Sequence, residues 1–191
     1  MVEAVRAAGI KIVMHGGGLW DPATELTPEK SDYIRRNDEH IAVLTGMPFG
    51  PGYLDGLLKD TGVILWSRPT IAAVLAAGAM KDGAELTMMH AIQTAHYVAG
   101  KQVVTAATLS ELAGEIALSP GEFDEVLEAI PVDEHIQATR RWMHELGLRG
   151  FPSFVLQRDT ELIQVQHEPF YGKPKGFVRA IHAAMATNAR A

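Results

Sequence analysis

Near the end of the chain an apolar run opens on a proline, in Arg149-Gly150-Phe151-Pro152-Ser153-Phe154-Val155. A residue without an N–H suits the first position of a strand and is out of place further in, where it would break a ladder. Here the proline is wedged between the end of a helical stretch and the strand. A proline so placed is a good candidate for a cis peptide, which folds seldom use without a reason. The sequence therefore predicts a cis Phe151–Pro152 bond at the mouth of a strand, in a chain that joins helices to a β-layer.

The rest of the chain reads as a series of elements around that step. Val2 to Ala8 is a short helix ended by Gly9. Ile10 to Met14 reads as a strand that Gly16-Gly17-Gly18 breaks into a long loop. Thr27-Pro28-Glu29 supplies an N-cap, a first-turn proline and a first-turn acid for a helix that runs to about Thr45 and stops at Gly46. A short helix is expected from Tyr53 to Lys59. Beyond Ser67 helices dominate. Three sets repeat at i, i+3, i+4, i+7 and predict apolar stripes facing a shared core: Ile71, Val74, Leu75, Gly78; Leu109, Leu112, Ala113, Ile116; and Phe123, Val126, Leu127, Ile130. Glu85 to Ala99 and Val132 to Leu146 complete the block, Ser153–Gln157 and Leu162–Val165 form a hairpin, and Pro174 to Ala186 is a final helix. Strands at the two ends with helices between them predict an α/β layer carrying a helical insertion.

Five segments, in this order and spacing, resemble the DsbA-like branch of the thioredoxin superfamily, and most nearly its FrnE-like or protein disulfide isomerase-like oxidoreductases. They are Val13-Met14-His15-Gly16-Gly17-Gly18, Leu44-Thr45-Gly46-Met47-Pro48-Phe49-Gly50, Tyr53-Leu54-Asp55-Gly56-Leu57-Leu58, Ala95-His96-Tyr97-Val98 and Gly150-Phe151-Pro152-Ser153-Phe154-Val155. The resemblance covers nearly the whole chain. It implies a thioredoxin-like fold interrupted by a helical domain: residues 1–27 and 147–191 as the thioredoxin-like part, 28–146 as the helical insertion. It also implies thiol–disulfide exchange on protein or peptide substrates. Gly150, Phe151 and Pro152 would be the substrate-binding loop, with the backbone of Phe151 pairing with an extended substrate.

The family's redox motif is a Cys-x-x-Cys at the start of its first long helix, and this sequence has no cysteine. Thiolate is the nucleophile of the exchange, so no catalytic residue is expected in this chain. The opening helix resembles the end of that first helix, so the resemblance would place the family's first strand and its cysteines before Met1, with a strand supplied by a partner chain or a rearranged domain as the alternatives. The expected fold is thus α/β and thioredoxin-like with a large helical insertion and the first strand missing. Two other readings share the topology. 2-Hydroxychromene-2-carboxylate isomerases and kappa-class glutathione transferases use glutathione, often with a serine in place of the redox cysteine. A non-catalytic peptide-binding module would keep the cleft alone. No cofactor is expected on the first reading, and glutathione on the second.

The remaining motifs argue against other chemistries. His15-Gly16-Gly17-Gly18 looks like an esterase oxyanion loop, but no serine sits in a Gly-x-Ser-x-Gly turn. No Gly-x-Gly-x-x-Gly leads into a helix, and no His-Glu-x-x-His occurs. His90 and His96 are six residues apart, which is not same-face ligand spacing, so no metal site is expected. A net charge of −6, with no basic run longer than a pair such as Arg140-Arg141, speaks against nucleic acid. No apolar run is long enough to span a bilayer, and the first residues do not read as a signal peptide. The expected partners are thiol or disulfide peptides and a possible second copy of the chain, in the cytoplasm.

Overall fold

The computed structural model describes residues 1–186. In chain order the elements are α1 (Val2–Ala7), β1 (Thr24–Glu25), α2 (Pro28–Thr45), β2 (Ile64–Leu65), α3 (Ser67–Met80), α4 (Ala84–Tyr97), α5 (Ala106–Glu115), α6 (Pro120–Ala129), α7 (Val132–Glu145), β3 (Phe154–Arg158), β4 (Glu161–Val165) and α8 (Pro174–Ala186). A π-turn (Gly52–Gly56), a 3₁₀ turn (Leu57–Lys59) and a second 3₁₀ turn (Glu168–Phe170) stand in the connections. The chain divides into two compact units, one of Met14–Val43 and Met47–Thr139, the other of Met1–Val13, Leu44–Gly46 and the chain from Arg140 onward.

The first unit is helical. The expected N-cap at Thr27 forms, its hydroxyl accepting from the Lys30 N–H at 3.3 Å, and a second, at Thr105, accepts from the Thr108 N–H at 3.2 Å. Its main core joins α3, α4, α5 and α6. Leu109, Leu112 and Ala113 of α5 and Phe123 of α6 point inward as their spacing predicts. On α3 the expectation is corrected. The buried stripe is Ala72, Ala73, Ala76 and Ala77, while Val74 packs at its margin. The alanines let α3 approach α4 closely, and the larger side chains are displaced to the flanks. A two-residue antiparallel bridge, β1 to β2, pairs Thr24 with Leu65 and Glu25 with Ile64; the sequence pattern gave no sign of it.

The same unit is clamped backbone to backbone. The Gly50 N–H donates to the Tyr97 carbonyl at 2.8 Å. At Gly100, in the left-handed region at φ +71°, a Cβ would lie 2.1 Å from the Gly52 oxygen. No side chain fits between these two segments, and only glycine accepts that backbone without strain.

In the second unit β3 and β4 form an antiparallel hairpin, with Phe154 opposite Val165 and Arg158 opposite Glu161. Asp159 takes a positive φ of 50° in the turn, which aspartate tolerates better than most residues. Arg158 pairs with Glu161 beside the turn and donates to the Ala184 carbonyl at 3.2 Å. One face of the hairpin and α1 pack on α8 around Val5, Phe177 and Ile181. The expected strand at 10–14 is not formed among the described residues. Ile10 and Ile12 do pack on this core, so the alternation is real. No described strand lies alongside to accept a ladder, and apolar alternation alone does not make one.

Candidate functional site

The loop that joins α7 to β3 begins where Gly147, at φ +65°, turns the chain out of the helix. The Leu148 N–H closes that end on the Met143 carbonyl at 2.8 Å. Gly150, Phe151 and Pro152 follow, and the Phe151–Pro152 peptide is cis, as the sequence predicts. β3 begins two residues later, at Phe154, rather than at the proline itself. The Ser153 hydroxyl donates to the Gly150 carbonyl at 2.6 Å and so braces the loop across the proline.

All three loop residues are exposed, Phe151 with 48% of its surface in water. The N–H and C=O of Phe151 bond to no described residue. An unbonded donor and acceptor on one exposed residue, near the root of a strand, are what an extended peptide needs to add main-chain bonds. The strand root is anchored from behind. The Phe154 ring meets Phe177 edge-on at 5.0 Å and His167 at 5.3 Å. His167 is buried, with its N–H on the Glu168 carboxylate at 3.2 Å. The sequence assigned His167 no role; it lies between β4 and the 3₁₀ turn, seven residues before the final helix.

Two polar clusters lie in the helical unit; His15, Tyr53 and His96 stand in segments that the sequence singles out, but their partners His135 and Asp38 do not. His15 and His135 stack at 5.9 Å, and the Gly16 N–H donates to His135 Nε2 at 3.0 Å. Burial, and then the neighbouring His15, hold the His135 imidazole below its usual range. Arg68 bonds Asp21 at 2.7 Å and also pairs with Asp133, tying the segment after the glycines to α3 and α7. Asp21–Pro22 is a second cis peptide, which the sequence analysis did not anticipate. The glycines of this segment therefore serve a structural connection: Gly17 and Gly18 are buried.

The other cluster is buried. Tyr53, 1% exposed, donates its hydroxyl to Asp38 Oδ2 at 2.7 Å. Burial raises the Asp38 carboxyl above its usual range, partly offset by that hydrogen bond. Burial and the adjacent carboxylate push the Tyr53 phenol far up, so it remains protonated. His96 packs on Tyr53 at 5.2 Å and on Tyr97 at 4.8 Å, with burial lowering its pKa and its Nδ1 left without a partner. Among the described residues no group of three or more His, Asp or Glu side chains is arranged to hold a metal.

No protein-family model and no curated protein sequence matches the chain. Solved structures do. The chain is similar to the cytosolic disulfide reductase DsbM from Pseudomonas aeruginosa, at 36% sequence identity and a TM-score of 0.88, over 96% of this chain and 88% of that one. The same protein solved with GSH gives 35% identity and a TM-score of 0.85, over 96% and 89%. A Nitrosomonas europaea protein provisionally assigned as a protein disulfide isomerase shares the fold at 23% identity, with a TM-score of 0.71 over 84% of this chain and 76% of that one.

Proposed function

The chain belongs to the DsbA-like thioredoxin-fold disulfide oxidoreductases, and on that premise we propose that Gly150-Phe151-Pro152 receives an extended thiol- or disulfide-bearing peptide. The observation that carries this is the unpartnered, exposed backbone of Phe151 beside the cis proline. A peptide laid along it would gain main-chain bonds that do not depend on its side chains, which suits a broad substrate class. Glutathione, the ligand in one solved relative, is the smallest member of that class and the second reading of the same loop. A cytosolic location follows the relative by analogy.

The sulfur chemistry is not carried by this sequence. Exchange requires a thiolate to attack a disulfide sulfur and a second thiol to resolve the mixed disulfide. With no cysteine, these residues can hold and orient a substrate but supply neither nucleophile. Two measurements test the reading. Titration of the ¹⁵N-labelled chain with oxidised glutathione, or with a short disulfide-bonded peptide, should move the amide signals of Phe151, Ser153 and Phe154; no movement there at saturating ligand rejects the loop as the site. Insulin reduction by the purified chain should stay at background, and turnover above it would show that another group performs the chemistry.

A further inference from the structure

The last stretch of this acidic chain is basic. Against a net charge of −6, residues 169–191 contain no Asp or Glu, while Lys173, Lys175 and Arg179 fall within one short run. In the structure that run borders an open hollow of about 600 Å³, lined by Lys173, Lys175, Arg179, Phe170, Gly172 and Gly176. The glycines shape its wall. A Cβ on Gly176 would press on the Phe170 ring at 3.2 Å, and Gly172 turns the chain at φ +69°. Behind them Phe170 packs on Phe177 at 5.8 Å, so the floor is anchored in the core.

The three cations are exposed, and none forms an ion pair with a described residue. The nearest acid in sequence, Glu168, turns back instead onto His167, 3.2 Å from its N–H and 3.6 Å from its Nδ1. The attraction resides in the side chains rather than in the start of α8, whose Gly176 and Phe177 N–H groups already bond the Lys173 carbonyl at 2.9 and 3.2 Å. An arginine fork matches a pair of anionic oxygens, and two lysines add mobile point charges.

We infer that this hollow is a binding site for a small polyanion of the phosphate class, such as an organic diphosphate. The short span of the three cations, from Lys173 to Arg179, favours a compact ligand. A nucleic acid would need a longer basic stripe and would meet the repulsion of the chain's remaining acidic surface. The site is separate from the loop at 150–152, and neither reading depends on the other.

Calorimetric titration with inorganic pyrophosphate, and in parallel with citrate, tests it at low ionic strength. The expected result is saturable binding of pyrophosphate at one site per chain. Arg179→Gln, and the double change Lys173→Gln with Lys175→Gln, should each weaken it by about tenfold, since each removes a charge-assisted contact. Added salt should weaken it further. Citrate binding more tightly than pyrophosphate through the same three side chains would overturn the phosphate class and assign the site to polycarboxylates. Absence of saturable binding, or binding that both variants leave unchanged while their circular dichroism matches the parent, would overturn the site.

Discussion

The helical unit and the hairpin unit are built on different contacts. In the first, α3 to α6 enclose a cluster of thirteen buried residues drawn from one continuous stretch, Ala73 to Phe123, and a backbone-to-backbone clamp at Gly50, Gly52 and Gly100 fastens a neighbouring segment to it. In the second, three buried side chains, Val5, Phe177 and Ile181, carry the core, drawn from opposite ends of the chain. β3 there is paired on one side alone among the described residues. A core that is local in sequence and closed on itself gives a rigid scaffold. One assembled from distant pieces, with strand backbone left over, gives a surface that accepts a ligand. The exposed loop with its unpartnered Phe151 backbone lies in the second.

The largest effect should come from the clamp. Gly100→Ala would place a methyl group 2.1 Å from the Gly52 oxygen, at a φ of +71°. We expect a loss of at least about 3 kcal/mol, or no soluble protein. Gly150→Ala meets nothing within 4 Å and should change stability by less than about 0.5 kcal/mol. Urea unfolding followed by circular dichroism compares them, and equal midpoints for the two variants would show that the contrast between the units is not one of packing.

Phe177→Ala comes next. The side chain is fully buried, and its removal should cost about 3–5 kcal/mol. Because its neighbours Phe154, Phe170 and Ile181 belong to the hairpin unit, hydrogen exchange should speed up in β3, β4 and α8 while α3 to α6 keep their protection. Acceleration spread evenly over both units would erase the distinction.

Sequence reasoning was strongest where contacts are local. α2 ends at Gly46, α7 at Gly147, and α8 occupies its expected span, because caps and turn residues act within a few positions. The cis step at Phe151–Pro152 was legible for the same reason. What escaped depends on partners far along the chain. The alanine stripe of α3 is apolar on more than one face, and periodicity cannot say which face meets α4. Ile10 to Met14 has the alternation of a strand, but a strand is defined by its neighbour. His135 reaches Gly16 across 119 positions, and Tyr53, which opens one of the resembling segments, bonds Asp38, which no motif marks. At the loop the order of residues was plain, while the outward, unbonded Phe151 backbone required coordinates.

Tyr53→Phe should have an intermediate effect. It leaves the buried Asp38 carboxylate without the hydroxyl that donates to it at 2.7 Å. A lost hydrogen bond to a buried charge costs about 1.5–3 kcal/mol. Adding Asp38→Asn removes the charge and should restore part of the loss, since an unpaired amide is cheaper to bury than an unpaired carboxylate. A double variant less stable than Tyr53→Phe alone would show that the carboxylate is stabilising in its own right, through some other contact.

The smallest effect is pH-dependent and divides the units by their histidines. Protonation of His135 at Nε2 would remove the lone pair that accepts from the Gly16 N–H at 3.0 Å, and would set a cation beside the stacked His15 ring. Burial and His15 both lower the folded pKa, below the value of about 6.5 for an unfolded histidine. The unfolded chain therefore takes up the proton first as pH falls. The contribution of His135 is whole above the unfolded value and is lost as pH drops through the folded one. His96, buried and also held low, acts in the same direction. In His135→Gln the side-chain amide oxygen can still accept the Gly16 N–H but does not titrate. The melting temperature should fall less between about pH 7.5 and about pH 5.5 in the variant than in the parent, the residual slope belonging to His15 and His96, both held low by burial. The same fall in both proteins would mean that His135 does not titrate in this range and that the Gly16 bond survives acid.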